Sequence, residues 1–371
     1  TIFFISVLLF FLGSGIWVAL SMIGVSAIGM MLFTSRPVGD AMATTIWGTS
    51  SSWTLTALPL FVWMGEILFR TRLSENLFKG LSPWMQKLPG GLIHVNVVGC
   101  ALFAAISGSS AATVATVGKM SIPELRKRNY PEKILLGSLA GSGTLGLLIP
   151  PSIILIIYGV AVQESIAKLF IAGILPGIMI ALIFMSYVIF WSLINKKQMP
   201  KIIEEYSIFE KIKRSKQLLP VIFLISAVIG SIYTGIATAT EAASLGVVGA
   251  LILSYFQKSL TLETFKTSLL GATKTSCMIA FILAGSTFLS LAMGFTGLPR
   301  NLAMWIQNMD LSPYVLIFVL MIFYIILGMF LDGISAVVLT MAIIEPMIRQ
   351  ANFDMIWFGI FLVIVVEMAQ I

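Results

Sequence analysis

At 371 residues, 58% of them hydrophobic and 11% charged, with a mean hydropathy of +1.01, the chain excludes a soluble fold; ordinary globular domains carry roughly 25% charged residues. Its net charge of +7 comes from 23 basic against 16 acidic residues. The basic residues gather in short polar segments between apolar runs, which marks cytoplasmic loops and excludes a nucleic-acid partner. One histidine, His94, and two cysteines inside apolar runs, Cys100 and Cys277, leave no cluster for a transition metal.

The first apolar run, 2–33, starts without a basic leader or a small-residue cleavage site, so it reads as membrane helix rather than signal peptide. It is either one long helix or two short ones broken at Gly13-Ser14-Gly15. Further charge-poor runs follow at 53–69, 88–118, 134–163, 169–195, 218–233, 235–257, 275–299, 311–344 and 355–371. A spanning helix needs ~20 apolar residues, so 2–33, 88–118, 134–163 and 311–344 are too long for one untilted span. Each of these four carries Gly, Ser or Pro near its middle.

Lys and Arg set the sidedness. Arg70, Arg72, Lys79 and Lys87 precede run 88–118, and Lys119, Arg126, Lys127, Arg128 and Lys133 follow it. Both flanks are therefore cytoplasmic. A run that starts and ends on one side is a re-entrant hairpin, with Ser107-Gly108-Ser109-Ser110 at its tip. Such non-helical backbone is tolerated at membrane depth only where protein or a water-filled cavity satisfies it. The alternative is one tilted helix with a patch of small residues. Between 196 and 216 seven Lys and Arg side chains form a third cytoplasmic segment. Within it Ile202, Ile203, Tyr206, Phe209 and Ile212 recur at helical spacing, as in an amphipathic connector on the inner membrane surface. Run 311–344 then enters and leaves from outside, as a second hairpin of opposite hand.

Internal similarity supports that inversion. A shift of 223 residues places Pro123 on Pro346, Arg126 on Arg349, Asn129 on Asn352, Tyr130 on Phe353 and Ser109 on Asp332. Slightly out of register, Trp84-Met85-Gln86 is similar to Trp305-Ile306-Gln307. Inverted repeats with broken helices near mid-membrane are an architecture of secondary transporters. In the first copy the run after the hairpin is interrupted at Gly141-Ser142-Gly143-Thr144-Leu145-Gly146 and at Pro150-Pro151, which open the helix. The shift sends Pro150 and Pro151 beyond Ile371, so the second break is expected past the last residue of a longer protein.

Ile106-Ser107-Gly108-Ser109-Ser110-Ala111-Ala112-Thr113, the stretch from Gly141 to Ser152, Thr238-Ala239-Thr240-Glu241-Ala242-Ala243 and Gly328-Met329-Phe330-Leu331-Asp332-Gly333 resemble the large membrane subunit of tripartite ATP-independent periplasmic (TRAP) transporters along essentially the whole chain. The resemblance implies an all-α polytopic protein of the bacterial inner membrane, an inverted-repeat elevator with two re-entrant hairpins and broken helices. It implies sodium-coupled import of a small carboxylate, of C4-dicarboxylate or sialic acid type, with no organic cofactor and sodium as the coupling ion. The implied partners are a small membrane subunit and a periplasmic substrate-binding protein, within the lipid bilayer. Scaffold segments fall at 1–87 and 169–270, transport segments at 88–168 and 271–371. By matching motif, sodium ligands fall on Ser107, Ser109, Gly146, Ile149 and Pro151, with a mirrored site at Gly328 and Asp332. Substrate contacts fall on Ser110, Thr113, Gly143, Thr144, Ser152 and Asp332.

The residue chemistry fits oxygen-only ligation of sodium, though small residues at these positions also allow close helix packing. Asp332 is an intramembrane carboxylate and so a functional candidate. Glu241 follows Thr238 and Thr240 at a helix start, where capping is as good a reading as transport. Glu66 is placed to pair with Arg70, and Glu367 to line the second break. Trp17, Trp47, Trp53, Trp63 and Trp191 are expected to face outward toward lipid or the small subunit. A channel is the rival class, since broken helices suit it too. An intramembrane serine hydrolase using Ser109 and His94 fails on distance: the two lie ~20 Å apart along one helix.

Overall fold

The computed structural model describes residues 2–71, 73–200, 206–216, 218–297, 301, 312–329 and 331–371, and every regular element among them is helical. The chain opens with α1 (Ile2–Gly13) and α2 (Val18–Phe33), so run 2–33 is two helices turned at Gly15, which adopts φ +77°. Next come α3 (Val38–Ser50), a short 3-10 turn at Trp53–Thr56, α4 (Ala57–Phe69) and α5 (Leu73–Met85). Run 88–118 is a helical hairpin of α6 (Ile93–Ser107) and α7 (Ser110–Lys127), as the charge argument required. After α8 (Glu132–Gly143) the helix tightens to a 3-10 turn at Thr144–Leu147 and then opens, resuming as α9 (Ile153–Ala161). The Pro150–Pro151 peptide between them is cis.

The remaining helices are α10 (Ile166–Ile194), α11 (Ile208–Ser215), α12 (Leu219–Tyr233), α13 (Ala239–Phe256), α14 (Leu262–Phe295), α15 (Pro313–Gly328), α16 (Gly333–Gln350) and α17 (Met355–Ala369). Four of the described helices are long and apolar enough to cross a membrane, and six spans result if two bent helix pairs each count as one. At ~1.5 Å per residue, the 29 residues of α10 alone exceed the hydrocarbon thickness. The gap between runs 235–257 and 275–299 is shorter than the sequence suggests: only residues 257–261 separate α13 from α14, which continues through Lys266 and Lys274 as one helix.

The repeat is structural as well as textual. The 223-residue shift carries α7 onto α16 at both ends, and Ser109 and Asp332 are the respective N-caps. The arms end alike too, with Asn129 and Asn352 both at φ +59°. In each, the next residue's N–H returns to the last turn: Tyr130 to Leu125 O at 3.0 Å and Phe353 to Ile348 O at 3.2 Å. That is a Schellman closure around an asparagine that tolerates the left-handed region. The proposed match of Trp305, Ile306 and Gln307 lies outside the described residues, as do Ile202, Ile203 and Phe330.

The chain forms two compact units, Thr1–Thr56 with Ile156–Leu169 and Lys274–Gln370, and Ala57–Leu155 with Phe170–Thr273. In the second unit α4 packs on α13, where Gly246 leaves room for Met64, and on α14, where Trp63 Nε1 donates to Ser268 Oγ at 3.4 Å. Trp63 is thereby turned inward, and Trp191 packs beside Ile93, Ile134 and Val188, so neither is the outward-facing side chain expected. Trp17, Trp47 and Trp53 in the first unit are exposed. Glu66 pairs with Arg70 at 2.9 Å. Glu241 closes a capping box, accepting from the Thr238 N–H and hydroxyl at 2.8 Å each, which favours the capping reading. The connector α11 begins with its own box, Ser207 and Glu210, and exposes Ile208, Phe209 and Ile212 on one face.

Candidate functional site

Gly108 ends α6 in the left-handed conformation, φ +58°, and reverses the chain at the hairpin tip. Its C=O accepts from the Ile153 N–H at 3.4 Å, which ties the tip to the start of α9. A Cβ at Gly108 would lie 2.8 Å from Pro151 O. On the other side of the break, a Cβ at Gly146 would lie 2.8 Å from Ser109 C and O. The tip therefore sits directly on the interrupted segment, and two glycines make that approach possible. From a third direction Gly65 of α4 closes on the Ile106 and Ser107 backbone.

The hydroxyls at the tip form one cluster. Ser107 Oγ lies 2.8 Å from Thr113 Oγ1, and Thr113 Oγ1 donates to Ser109 O at 2.7 Å. Ser109 is the N-cap of α7, its hydroxyl accepting from the Ala112 N–H. Across the break, Thr144 Oγ1 donates to Gly141 O at 2.7 Å, and the Ser152 hydroxyl donates to Leu147 O and accepts from the Leu155 N–H. The protons of Thr113, Thr144 and Ser152 are thus committed to backbone carbonyls, and what these groups present is lone pairs. The carbonyls of Ile149, Pro150 and Pro151 accept no hydrogen bond from the described residues. Pro150 and Pro151 are buried, and buried carbonyls of this kind call for a partner.

Of the sequence-derived set, Ser107, Ser109, Ser110, Thr113, Gly146 and Pro151 come together at the tip and break. Ile149 joins them through its backbone while its side chain packs on Gly177 of α10. Gly143 is a packing position, pressed against Val114 of α7. Gly328 and Asp332 belong to the first unit. There Gly328 meets Ala369 of α17, and Asp332 is exposed and caps α16, Oδ2 accepting from the Ser335 N–H at 3.1 Å. Glu367 is buried on α17. His94 sits at the base of α6, Nε2 2.7 Å from Pro89 O, away from Ser109 at the tip.

Sequence reasoning set Gly108 in the hairpin tip but gave it no role, although its carbonyl and missing side chain join the two elements, and it passed over Gly65. A glycine flanked by serines between two helical runs was the available signal for Gly108; Gly65 lay unmarked in an apolar helix.

Apolar helices interrupted at a buried break, with lone pairs and unpaired carbonyls gathered there, are the build of a membrane transport protein. The chain matches the family described as "Tripartite ATP-independent periplasmic transporter, DctM component" over residues 4–371 and belongs to it; it is a transport protein and not an enzyme. It is 32% identical over 346 residues, 93% of this chain and 80% of the relative, to the C4-dicarboxylate TRAP transporter large permease protein DctM of Pseudomonas aeruginosa. It is 30% identical over 350 residues, 94% of this chain and 81% of the relative, to the sialic acid TRAP transporter large permease protein SiaM of Vibrio cholerae. Its fold is similar to the YdaH transporter of Alcanivorax borkumensis, solved by crystallography and described as of unusual topology. The TM-score is 0.60, over 96% of this chain and 86% of that one, at 11% identity.

Proposed function

We propose that this chain is the large permease of a sodium-coupled importer of a small organic carboxylate in the bacterial inner membrane, working as an elevator whose transport segments are 88–168 and 271–371. The reading is carried by the free carbonyls of Ile149, Pro150 and Pro151 beside the Ser107–Thr113 hydroxyl cluster. Sodium is a hard cation that takes oxygen ligands, and unwound carbonyls in broken transporter helices supply them. Ser107 and Ser109 oxygens with carbonyls of Gly146, Ile149 and Pro151 make that set. Sodium there would bridge tip and break, and ordering both is the differential contact that couples ion to substrate.

The substrate carboxylate is met by the N-terminal ends of α7 and α9, where backbone N–H groups favour an anion. Ser110, the one hydroxyl of the substrate set without a side-chain hydrogen bond to the described residues, donates to it. Asp332 completes the mirrored half with Gly328. Relatives named for C4-dicarboxylate and for sialic acid share the framework at similar identity, which supports leaving the choice of carboxylate to a periplasmic binding protein. A small membrane subunit is the third partner, as "tripartite" and "large permease" imply.

The test is uptake into proteoliposomes holding the full chain with its small subunit, supplied with loaded binding protein. Accumulation should need an inward sodium gradient and vanish when choline replaces sodium. Downhill flux that ignores both the gradient and the binding protein would mark a channel instead.

A further inference from the structure

The connector α11 has a face that no described residue covers. Ile208, Phe209 and Ile212 are 73%, 75% and 50% exposed, and at 3.6 residues per turn they fall within about 100° of arc. Three large apolar side chains on one face of an eight-residue helix make a patch that calls for an occupant.

Helix α5 holds α11 from the side and leaves that face open. Ser215 Oγ accepts from Trp84 Nε1 at 2.8 Å and lies 3.4 Å from Gly80 O. Lys211 Nζ stands 5.3 Å from the centre of the Trp84 ring, a cation–π contact. Gly80 also closes on Leu218, just past the helix. Lys211 and Ser215 form a stripe about 90° round α11 from the apolar arc. Helix α5 in turn packs on both arms of hairpin α6–α7.

The charges on α11 differ in what they touch. Between 206 and 216 stand Lys211, Lys213, Arg214 and Lys216 against one acid, Glu210. Glu210 accepts from the Ser207 N–H at 3.0 Å in the capping box. Lys211 rests on Trp84, and the Arg214 guanidinium lies 4.3 Å from the Tyr206 ring centre. Lys213 and Lys216 are exposed, and neither side chain has a hydrogen bond or ion pair among the described residues. Lys213 borders the apolar arc about 40° beyond Phe209, and Lys216 extends the arc one turn after Ile212. The helix belongs to a basic segment directly before the apolar helix α12, which puts it at the cytoplasmic membrane boundary. Lipids there carry negative charge.

We propose that α11 is an anchor for anionic phospholipid: Ile208, Phe209 and Ile212 enter the acyl boundary while Lys213 and Lys216 snorkel to lipid phosphates. The anchored helix grips α5 through Trp84 and Ser215, and so fixes the base of hairpin α6–α7 to the bilayer surface. The inference rests on the uncovered face and its charges and is independent of sodium coupling.

Hydrogen exchange of the α11 amides, measured on the full chain in nanodiscs, reads the anchor directly. Exchange should be at least tenfold slower in bilayers containing phosphatidylglycerol than in phosphatidylcholine alone, each lysine supplying about fivefold. In Lys213→Gln/Lys216→Gln the two bilayers should give the same rate, and Phe209→Ser should raise the rate in both. Equal rates for the parent protein in the two bilayers overturn the proposal. A lipid difference that survives the double change overturns it too, since substitutions that merely fray the helix raise exchange in both bilayers alike. Inorganic phosphate that reproduces the protection in phosphatidylcholine would mark a site for a soluble anion. Protection that arises only on adding the small subunit would mark a protein contact, and either result overturns the anchor.

Discussion

Gly108→Ala should separate the hairpin tip from the broken helix. An alanine at φ +58° pays roughly 1–2 kcal/mol for the left-handed conformation. Its methyl would also stand 2.8 Å from Pro151 O and 3.1 Å from Ile153 Cγ1. Pro151 O is backbone and cannot rotate away, so tip or break must move, an overpacking strain of about 1–3 kcal/mol. Together these amount to about 2–5 kcal/mol, a fall in melting temperature on the order of 10 °C for a unit of this size. Gly137→Ala on α8 is the matched control: a Cβ there meets nothing within 4 Å, and alanine favours helix by roughly 1 kcal/mol. Thermal unfolding of both variants in detergent, followed by circular dichroism, gives the comparison. Gly108→Ala should melt well below the parent and Gly137→Ala at or slightly above it. Equal melting temperatures would refute the contact between tip and break.

Other outcomes follow from the same geometry. Asp332→Ala should lose the cap of α16 and about 1 kcal/mol, while Asp332→Asn keeps stability and removes only the charge; thermal melts distinguish them, and equal losses would discard the capping role. Gly65→Ala brings a methyl to 3.0 Å from Ile106 O, so it should lower both melting temperature and uptake, where Gly230→Ala, with open space around it, should change neither. At the hairpin base the Leu92 N–H donates to Tyr130 Oη at 3.0 Å, and Tyr130→Phe should leave that amide unpaired and speed its hydrogen exchange. Burial raises the Tyr130 phenol above its ordinary 10.0, opposed by the Leu92 hydrogen bond and by Arg128. The neutral phenol is therefore the form the fold favours, and its stabilisation is complete below pH 10 and lost as pH rises through the raised value. Ultraviolet titration against Tyr130→Phe should show one tyrosine ionising late; a difference spectrum centred at or below pH 10 would contradict the burial.

Much of the fold could be read because charge and repetition act over long stretches. Two basic flanks on either side of run 88–118 forced a hairpin, and the 223-residue shift located both second arms through Asn129 and Asn352. Side-chain direction was a different matter. Apolar helices such as α4 and α10 have no polar face to distinguish protein from lipid, so Trp63 and Trp191 gave no sign that they pack inward. Short polar side chains were ambiguous for another reason: the spacing that offers oxygens to an ion also caps a helix. Ser109, Asp332 and Glu241 all proved to be capping residues, and for Ser109 a cap and an ion ligand are compatible, since the hydroxyl oxygen has two lone pairs. The meeting of Asn96 with Ser138 between α6 and α8 was likewise visible only in the structure.

That double role dictates how sodium coupling must be tested. Ser109→Ala removes both the cap and the oxygen, whereas glycine at an N-cap costs only a few tenths of a kcal/mol, so Ser109→Gly removes the oxygen and leaves the helix start nearly intact. The decisive measurement is the sodium concentration for half-maximal uptake in proteoliposomes carrying the parent, Ser109→Gly or Ser107→Ala protein with small subunit and binding protein. Ligation at the tip and break predicts a several-fold rise in both variants with assembly unchanged; a sodium dependence identical to the parent's in both would contradict it.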